Sequence, residues 1–493
     1  MVILSNCIRN FFRKFELIGN SVQGENPAPD NPQEIKSAGR KSRNLFDAKK
    51  AKSGWITSDG KQTLVTLGSA DNVVSDYIQV YPGMNYTSSA SVYQNFYDSE
   101  KNFLNHNPKT STSIVVPDNA KYMIVVIAVN RALVIQTANT LMINIGSSAL
   151  PYEQYTDKYL LDVKVTGKNL LSNKPTDWMI GKTTSWGAVP QTPVSYGTNV
   201  KNAIATINVK SSTNYSFINK ETNKLWVCRI IELDANGLGL VNHALYANES
   251  FNYKKYNFST RSNTANIVFE IKKVDNTELL STDIESNKIM LVEGEVNDPT
   301  TYEPYTEQTV QIALNEPLRG IGEYNDTITK DGVVRKIYPP YEINLNDLRD
   351  GGYSRTNTVM FSVKVQNKTV GYASLKPSIL CNILPDCALQ TSNIYNNDKE
   401  CIAVGSAIVL FRVNKSRLKD ISSFEATKQS FIELMVDKKM IVEYALETPV
   451  TEPLPESVQA QLQALHSENG TTHINIDSGE VEAGINIEYK CKS

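Results

Sequence analysis

The chain repeats itself once, and the order of the repeat constrains the fold more than any other feature of the sequence. Asn44-Leu45-Phe46 returns at Asn169-Leu170-Leu171, and Asn85-Tyr86-Thr87 at Asn214-Tyr215-Ser216. Phe96-Tyr97-Asp98-Ser99 returns at Glu232-Leu233-Asp234-Ala235, Asn139 to Gly146 at Asn287 to Gly294, and Tyr152 to Thr156 at Tyr302 to Thr306. The offset only grows, from 125 residues at the first pair through 129, 136 and 148 to 150 at the last. A duplicated structural unit that gained loop residues in its second copy gives that ordered drift, and chance matches do not.

Inside each copy the runs read as strands. Tyr77 to Tyr81 and Ala205 to Lys210 alternate apolar and polar residues, as half-buried strands do. Asp98 to Lys101 and Asp234 to Gly237 supply tight-turn chemistry between such runs, and Tyr122 to Val129 and Ile267 to Ile271 have the continuous apolar character of central strands. A unit of this size with turn-separated strands and almost no helical period is a two-sheet sandwich or jelly roll. The expected fold class is mainly β: tandem sandwich modules at 40–157 and 158–306, after an N-terminal β arm at 1–39.

The last third reads differently. Residues 307–350 form a linker with a hairpin turn at Lys330-Asp331-Gly332, and 351–455 a third β-rich module with one helix. Ser422 and Glu425 have capping-box spacing for that helix, with Phe424, Phe431 and Met435 on one face. Residues 456–493 give a short helix, with Val458, Leu462 and Leu465 on one face, and then a hairpin of 472–476 with 485–489. That apolar face is the expected seam of a homotrimer, with packing inside its own module as the alternative.

Charge excludes one class of partner. Lys plus Arg number 50 against 52 Asp plus Glu, with no long block of one sign, whereas nucleic-acid binding needs a concentrated positive surface. Tyr122 to Val129 is far shorter than the roughly 20 apolar residues of a membrane helix, so no membrane insertion is expected. The first fifteen residues lack the pattern of a signal peptide. Six scattered cysteines (7, 228, 381, 387, 401, 491) fit free thiols in a reducing compartment, and the cluster at 381, 387 and 401 lacks a fourth zinc ligand.

No catalytic motif stands out. Four histidines form no zinc-protease helix, and there is no nucleophile elbow or phosphate-binding loop. Asp98 with Glu100 and Asp283 with Glu285 are acid pairs that read as solvated loop residues. No cofactor is expected, with calcium at the Asp234/Asn236 turn left open and the plain hairpin turn as the alternative. Aromatic residues in loops carry more chemistry, because a ring offers an amphipathic surface to the C–H face of a sugar. Trp178 and Trp186 lie in a stretch rich in turn formers, with Trp55 at a similar place in the first copy, and these three are the candidate carbohydrate contacts; burial is the alternative for each.

Several segments carry a resemblance. Phe15 to Gln23 with Pro29 to Ile35 and Gly39, the stretch Leu314 to Ile321 with Asp331 to Arg335, and Tyr444 to Pro453 resemble minor structural and tail proteins of phages and prophages of Gram-positive bacteria. The modules running from Asn-Leu-Phe to Tyr-Glu-Pro-Tyr-Thr are similar to the carbohydrate-binding-like jelly rolls of those proteins. The resemblance implies a non-enzymatic virion component, assembled in the host cytoplasm with other tail or baseplate proteins, that contacts cell-wall polysaccharide. A ligand-free spacer or scaffold is the alternative, and a glycan hydrolase the third reading.

Overall fold

The computed structural model describes residues 2–7 (backbone), 11–147, 150, 152–180, 201–220, 226–235, 237–245, 255–273, 275, 277–298, 302–338, 347–352, 354–365, 369–370, 377–387, 398–405, 407–468 and 470–488. The protein is mainly β, with antiparallel sheets throughout and a few short helices. It divides into two compact units, one of residues 42–157 and 166–307, the other of 1–41, 158–165 and 308–493.

The first of these units holds the repeat. In its first copy one bent sheet runs in the order Phe103–Val115, Asn85–Tyr97, Tyr122–Ile127, Val73–Val74, Lys52–Ile56, Gln62–Thr66. Ile143–Ile145 joins it beside Asn85–Tyr97, and Ile78–Gln79 beside Tyr122–Ile127. In the second copy the same plan is two sheets. Met179–Ile180, Asn202–Asn208, Asn266–Lys273, Trp226–Leu233 and Gly239–Leu245 make one, and Lys255–Ser259, Asn214–Asn219 and Ile289–Glu293 the other. The two long strands of the first copy thus correspond to two strands each in the second. Met123 lies opposite Ile78 and Phe96, as Ile267 lies opposite Ile207 and Glu232, so the pairing follows the sequence matches. Each copy closes over its own core, built in the second from Tyr215, Phe217 and Leu291 of one sheet against Ala203, Ile230 and Phe269 of the other.

One asparagine fastens each copy. Asn44 is buried, and its Nδ2 donates to the Leu141 and Glu153 carbonyls while its Oδ1 accepts from the Phe46 and Ile143 N–H groups. Asn169 repeats all four bonds, to Ile289 O, Glu303 O, Leu171 N and Leu291 N. An amide side chain offers donors and acceptors on one short stem, so it can satisfy buried backbone groups of both chain ends of a module. Tyr86 and Tyr215 each accept a backbone N–H through the hydroxyl, from Tyr81 and Lys210.

The other unit corrects the expected boundaries. Residues 14–18 are no free arm: Lys14–Ile18 is an interior strand between Thr327–Thr329 and Gly484–Glu488, in a six-stranded sheet that continues through Gly332–Tyr338, Val442–Glu452 and Ile379–Cys381. The expected linker supplies the Thr327–Thr329/Gly332–Tyr338 hairpin of that sheet, with Thr329 opposite Gly332 as the turn chemistry predicts. The C-terminal strands form no hairpin with each other. Gly484–Glu488 pairs with Lys14–Ile18, while Gly470–Asp477 lies between Val2–Cys7 and Tyr159–Thr166 in a separate sheet. Both strands pack apolar side chains against a shared core, and each finds a partner more than four hundred residues away, which local pattern does not encode.

Phe424–Asp437 is the expected helix, but its N-cap is Ser423, whose Oγ accepts from Ala426 N at 3.1 Å. Its Phe431 stacks on Phe361 at 4.7 Å, against the sheet of Arg349–Asp350, Thr358–Lys364, Ile408–Asn414 and Cys401–Gly405. In the helix Glu456–Ala464 and its cap, Leu462 and Leu465 are buried and Val458 packs beside them in the core of their own unit, so that face is not open as a trimer seam.

The cysteines also differ from expectation. Cys387 and Cys401 form a disulfide, with Cα atoms 5.1 Å apart. A parallel bridge between Asp386 and Ile402 brings the two thiols together, and a spacing in sequence does not reveal such a bridge. Cys381 is a free buried thiol, pushed up to about 12 by burial and therefore unreactive.

Candidate functional site

The alternation of the first copy's central strands sets aromatic residues on the face away from its core. Along Asn85–Tyr97, Val92 and Phe96 turn into the core, and Tyr93 and Tyr97 turn the other way. Along Tyr122–Ile127, Met123, Val125 and Ile127 point in, and Tyr122, Ile124 and Val126 point out. Ile56, Val74, Ile124 and Val126 form a buried apolar floor on that outer face. Over it lie the half-buried rings of Trp55, Tyr77, Tyr93, Phe103 and Tyr122.

The rings hold one another in place. Trp55 meets Tyr93 edge to face at 5.0 Å, and Tyr93 lies parallel to His106 at 6.3 Å. Tyr77 contacts Tyr97 at 5.0 Å and Tyr122 at 6.0 Å. The Lys101 ammonium stands 4.7 Å from the Tyr77 ring centre. His106 is oriented by a 2.9 Å bond between Nδ1 and Asn95 Oδ1, and Gln62 Nε2 reaches the Tyr97 hydroxyl at 3.3 Å. Burial pushes the Tyr97 phenol up. Gly54 sets Trp55: its φ is +131°, and a Cβ there would fall 2.0 Å from Thr63 O.

Among the described residues, the second copy holds no such set of rings. At the register positions of Tyr93, Tyr97 and Tyr122 stand Arg229, Leu233 and Asn266. The outer face there is an aliphatic cluster of Ile204, Ile231, Leu233 and Val268, and Arg229 pairs with Glu270 at 3.9 Å. At these register positions the fold is therefore maintained without aromatic rings.

Of the three tryptophans singled out from sequence, the structure brings one to this surface. Trp55 belongs to it. Trp178 does not: it is 3% exposed, packs against Phe269 in the core and donates through Nε1 to Ser172 O at 2.8 Å, so its faces are closed to a sugar. Its register equivalent in the first copy is Ala51 rather than Trp55, since Lys52 opposite Val74 corresponds to Met179 opposite Ile204. Trp186 lies outside the described residues, as does the Trp226 side chain. Sequence reading missed Tyr77, Tyr93 and Tyr122. The period-two pair Tyr93/Tyr97, carried by one copy and not the other, was the available signal.

The acid pairs have structural duties. Asp98 Oδ1 accepts from Glu100 N and Asn102 N and closes a turn, as Asp234 Oδ1 accepts from Leu238 N. Asp283 is buried and paired with Lys273 at 2.5 Å, with Glu285 exposed beside it. In the second copy Glu232 takes the core position of Phe96. Burial pushes its carboxyl up, but bonds from Thr264, His243 and the Arg261 N–H outweigh that and hold it below the usual range. His243 bonds Tyr256 through its other nitrogen at 3.0 Å. Among the described residues no three metal-ligating side chains gather, and no helix is long and apolar enough to cross a membrane.

No family matches the chain, and no curated protein does. Two solved structures of infectious bursal disease virus, one of the Gt strain and one of the VP2 subviral particle, each align over 62% of the chain at 9% identity. They are covered over 79% and 71% of their own lengths, with TM-scores of 0.13 and 0.11, and at that level the likeness carries no argument.

Proposed function

We propose that the chain is a non-enzymatic structural component of a phage tail that contacts host cell-wall polysaccharide through the aromatic face of its first module. One observation carries the reading: two copies of one fold stand side by side in the sequence, and only the first places Trp55, Tyr93 and Tyr122 on its outer face. Rings such as Tyr93 and Tyr122, where its twin holds Arg229 and Asn266, are accounted for by what they meet. A half-exposed set of rings suits sugar C–H faces, and its low affinity per site is raised by repetition, by about 10²–10⁴ when sites are linked. Assembly as a homotrimer on the tail supplies that repetition. No catalytic pair is needed.

The test is adsorption of the full chain to purified Gram-positive cell walls. Trp55→Ala combined with Tyr122→Asn, the residue the second copy holds, should lower adsorption by at least about tenfold while circular dichroism stays native. Unchanged adsorption removes this face, and wild-type protein that ignores walls points to the spacer reading.

A further inference from the structure

The duplication exposes a second surface that the aromatic face does not explain. At one end of the first module, the turn after Asn44 and the segment 152–155 enclose a cleft of about 330 Å³. Phe46 is its apolar floor, Tyr152 and Tyr155 are its other aromatic lining, and Asp47, Lys49, Asn139 and Gln154 supply polar groups of both charges and none. Tyr152 is 49% exposed, and Lys49, Asn139 and Gln154 are exposed as well.

The second copy holds the same framework with the space taken up. Tyr305, matched to Tyr155, is only 9% exposed, and its hydroxyl bonds the Glu307 carboxylate. Lys174, matched to Lys49, crosses to Glu307 at 2.7 Å. Between them the turn Pro175–Asp177 folds in, tied by Ser172 Oγ to Asp177 at 2.5 Å. Burial, followed by the neighbouring Glu307 carboxylate, pushes the Tyr305 phenol far up, as befits a hydroxyl committed as a donor inside the fold. One backbone thus supports an open and a closed version, so the open one is not imposed by the Asn clasp beneath it.

We infer that this cleft is a binding site for one neutral pyranose ring, the terminal or branch residue of a glycan, held between Tyr152 and Tyr155. Its volume lies at the small end of ligand pockets, which suits a single ring. Two aromatic side chains match the apolar faces of a sugar, and amide and ammonium groups match its hydroxyls. The ligand class rests on the glycan reading above. The site itself lies in different residues from the aromatic face, and it recognises a chain end where that face follows a chain.

Saturation-transfer NMR of the full chain with a panel of methyl hexopyranosides, N-acetylhexosaminides and rhamnosides tests the inference, because soluble monosaccharides report the cleft while insoluble walls report the aromatic face. At least one pyranoside should show transfer from the wild-type protein. Tyr152→Ala should weaken its binding by about tenfold, and Gln154→Ala by less, with no change in fold because both side chains are exposed. Absence of transfer across the panel overturns the inference even if wall adsorption persists. So does transfer that Tyr152→Ala leaves unchanged.

Discussion

Replacing Asn44 with alanine tests whether one side chain fastens the first module. The amide makes four bonds to backbone groups of three separate segments, at distances of 2.9 to 3.0 Å. A buried hydrogen bond contributes about 0.5–1.5 kcal/mol net, and an abandoned buried partner costs about 1–3 kcal/mol. Four bonds summed naively give up to about 6 kcal/mol, but the carbonyl of half-buried Glu153 can turn to water, which lowers the expectation to about 3–4 kcal/mol. For a module of this size that is a fall of roughly 10–15 °C in its unfolding transition. Scanning calorimetry of the full chain measures it, and hydrogen exchange of the peptide containing Ile143 locates it. Asn44→Asp should be as damaging, since it keeps the acceptor, loses both donors and buries a charge. Asn169→Ala should act equally on the second module. A loss below about 1 kcal/mol for Asn44→Ala would refute the argument, because it would mean that the backbone groups find other partners.

Two further outcomes follow from the side chains described. The Cys387–Cys401 disulfide closes a 14-residue separation, so Cys401→Ser, or reductant added to the wild type, should lower stability of the surrounding sheet by about 3 kcal/mol; identical melting curves with and without reductant would count against it. Glu232 has its folded-state pKa below its ordinary 4.5, so the stability it contributes is present above that value and is lost as pH falls through the lower folded value. Glu232→Gln should therefore flatten the acid limb of the second module's stability profile below about pH 4.5, and an unaltered limb removes the assignment.

How much of this was legible in the sequence depends on range. Strand identity and the central position of Tyr122–Ile127 and Asn266–Lys273 follow from local alternation, which burial then obeys. The repeat was legible because its matched residues are the ones that make the framework: Asn44 and Asn169, Tyr86 and Tyr215, Asp98 and Asp234. What joins distant segments was not legible. Arg319 reaches Glu443, 124 residues away, at 2.8 Å with both buried, and Gly332–Tyr338 pairs with Val442–Glu452, so the segment read as a linker lies inside a sheet. Lys14–Ile18 found its partners across the whole chain for the same reason. The tryptophans misled because a turn-rich neighbourhood says little about burial: Trp178 sits beside the turn Pro175–Asp177 and still points inward, with Ser172 O as partner for its N–H.

The two copies separate the fold from the work done on it. A side chain present in both, making the same bond, answers to the backbone: the asparagine clasp, the tyrosine hydroxyl on a backbone N–H, and the bond from Thr87 to Gly146 O repeated from Ser216 to Gly294 O. A side chain present in one copy alone is free of that duty. By this criterion the divergent positions fall into two sets. Glu232 in place of Phe96 sets a buried polar cluster with His243 and Thr264 inside the second sandwich, which fixes partners by direction where an apolar core fixes only volume. Tyr93, Tyr97 and Tyr122, against Arg229, Leu233 and Asn266, change the outer face from ionic and aliphatic to aromatic without altering strand register. The first set changes how the second module is held together. The second set changes what the first module can touch, and for that reason the surface to mutate first is the outer face of residues 52–127.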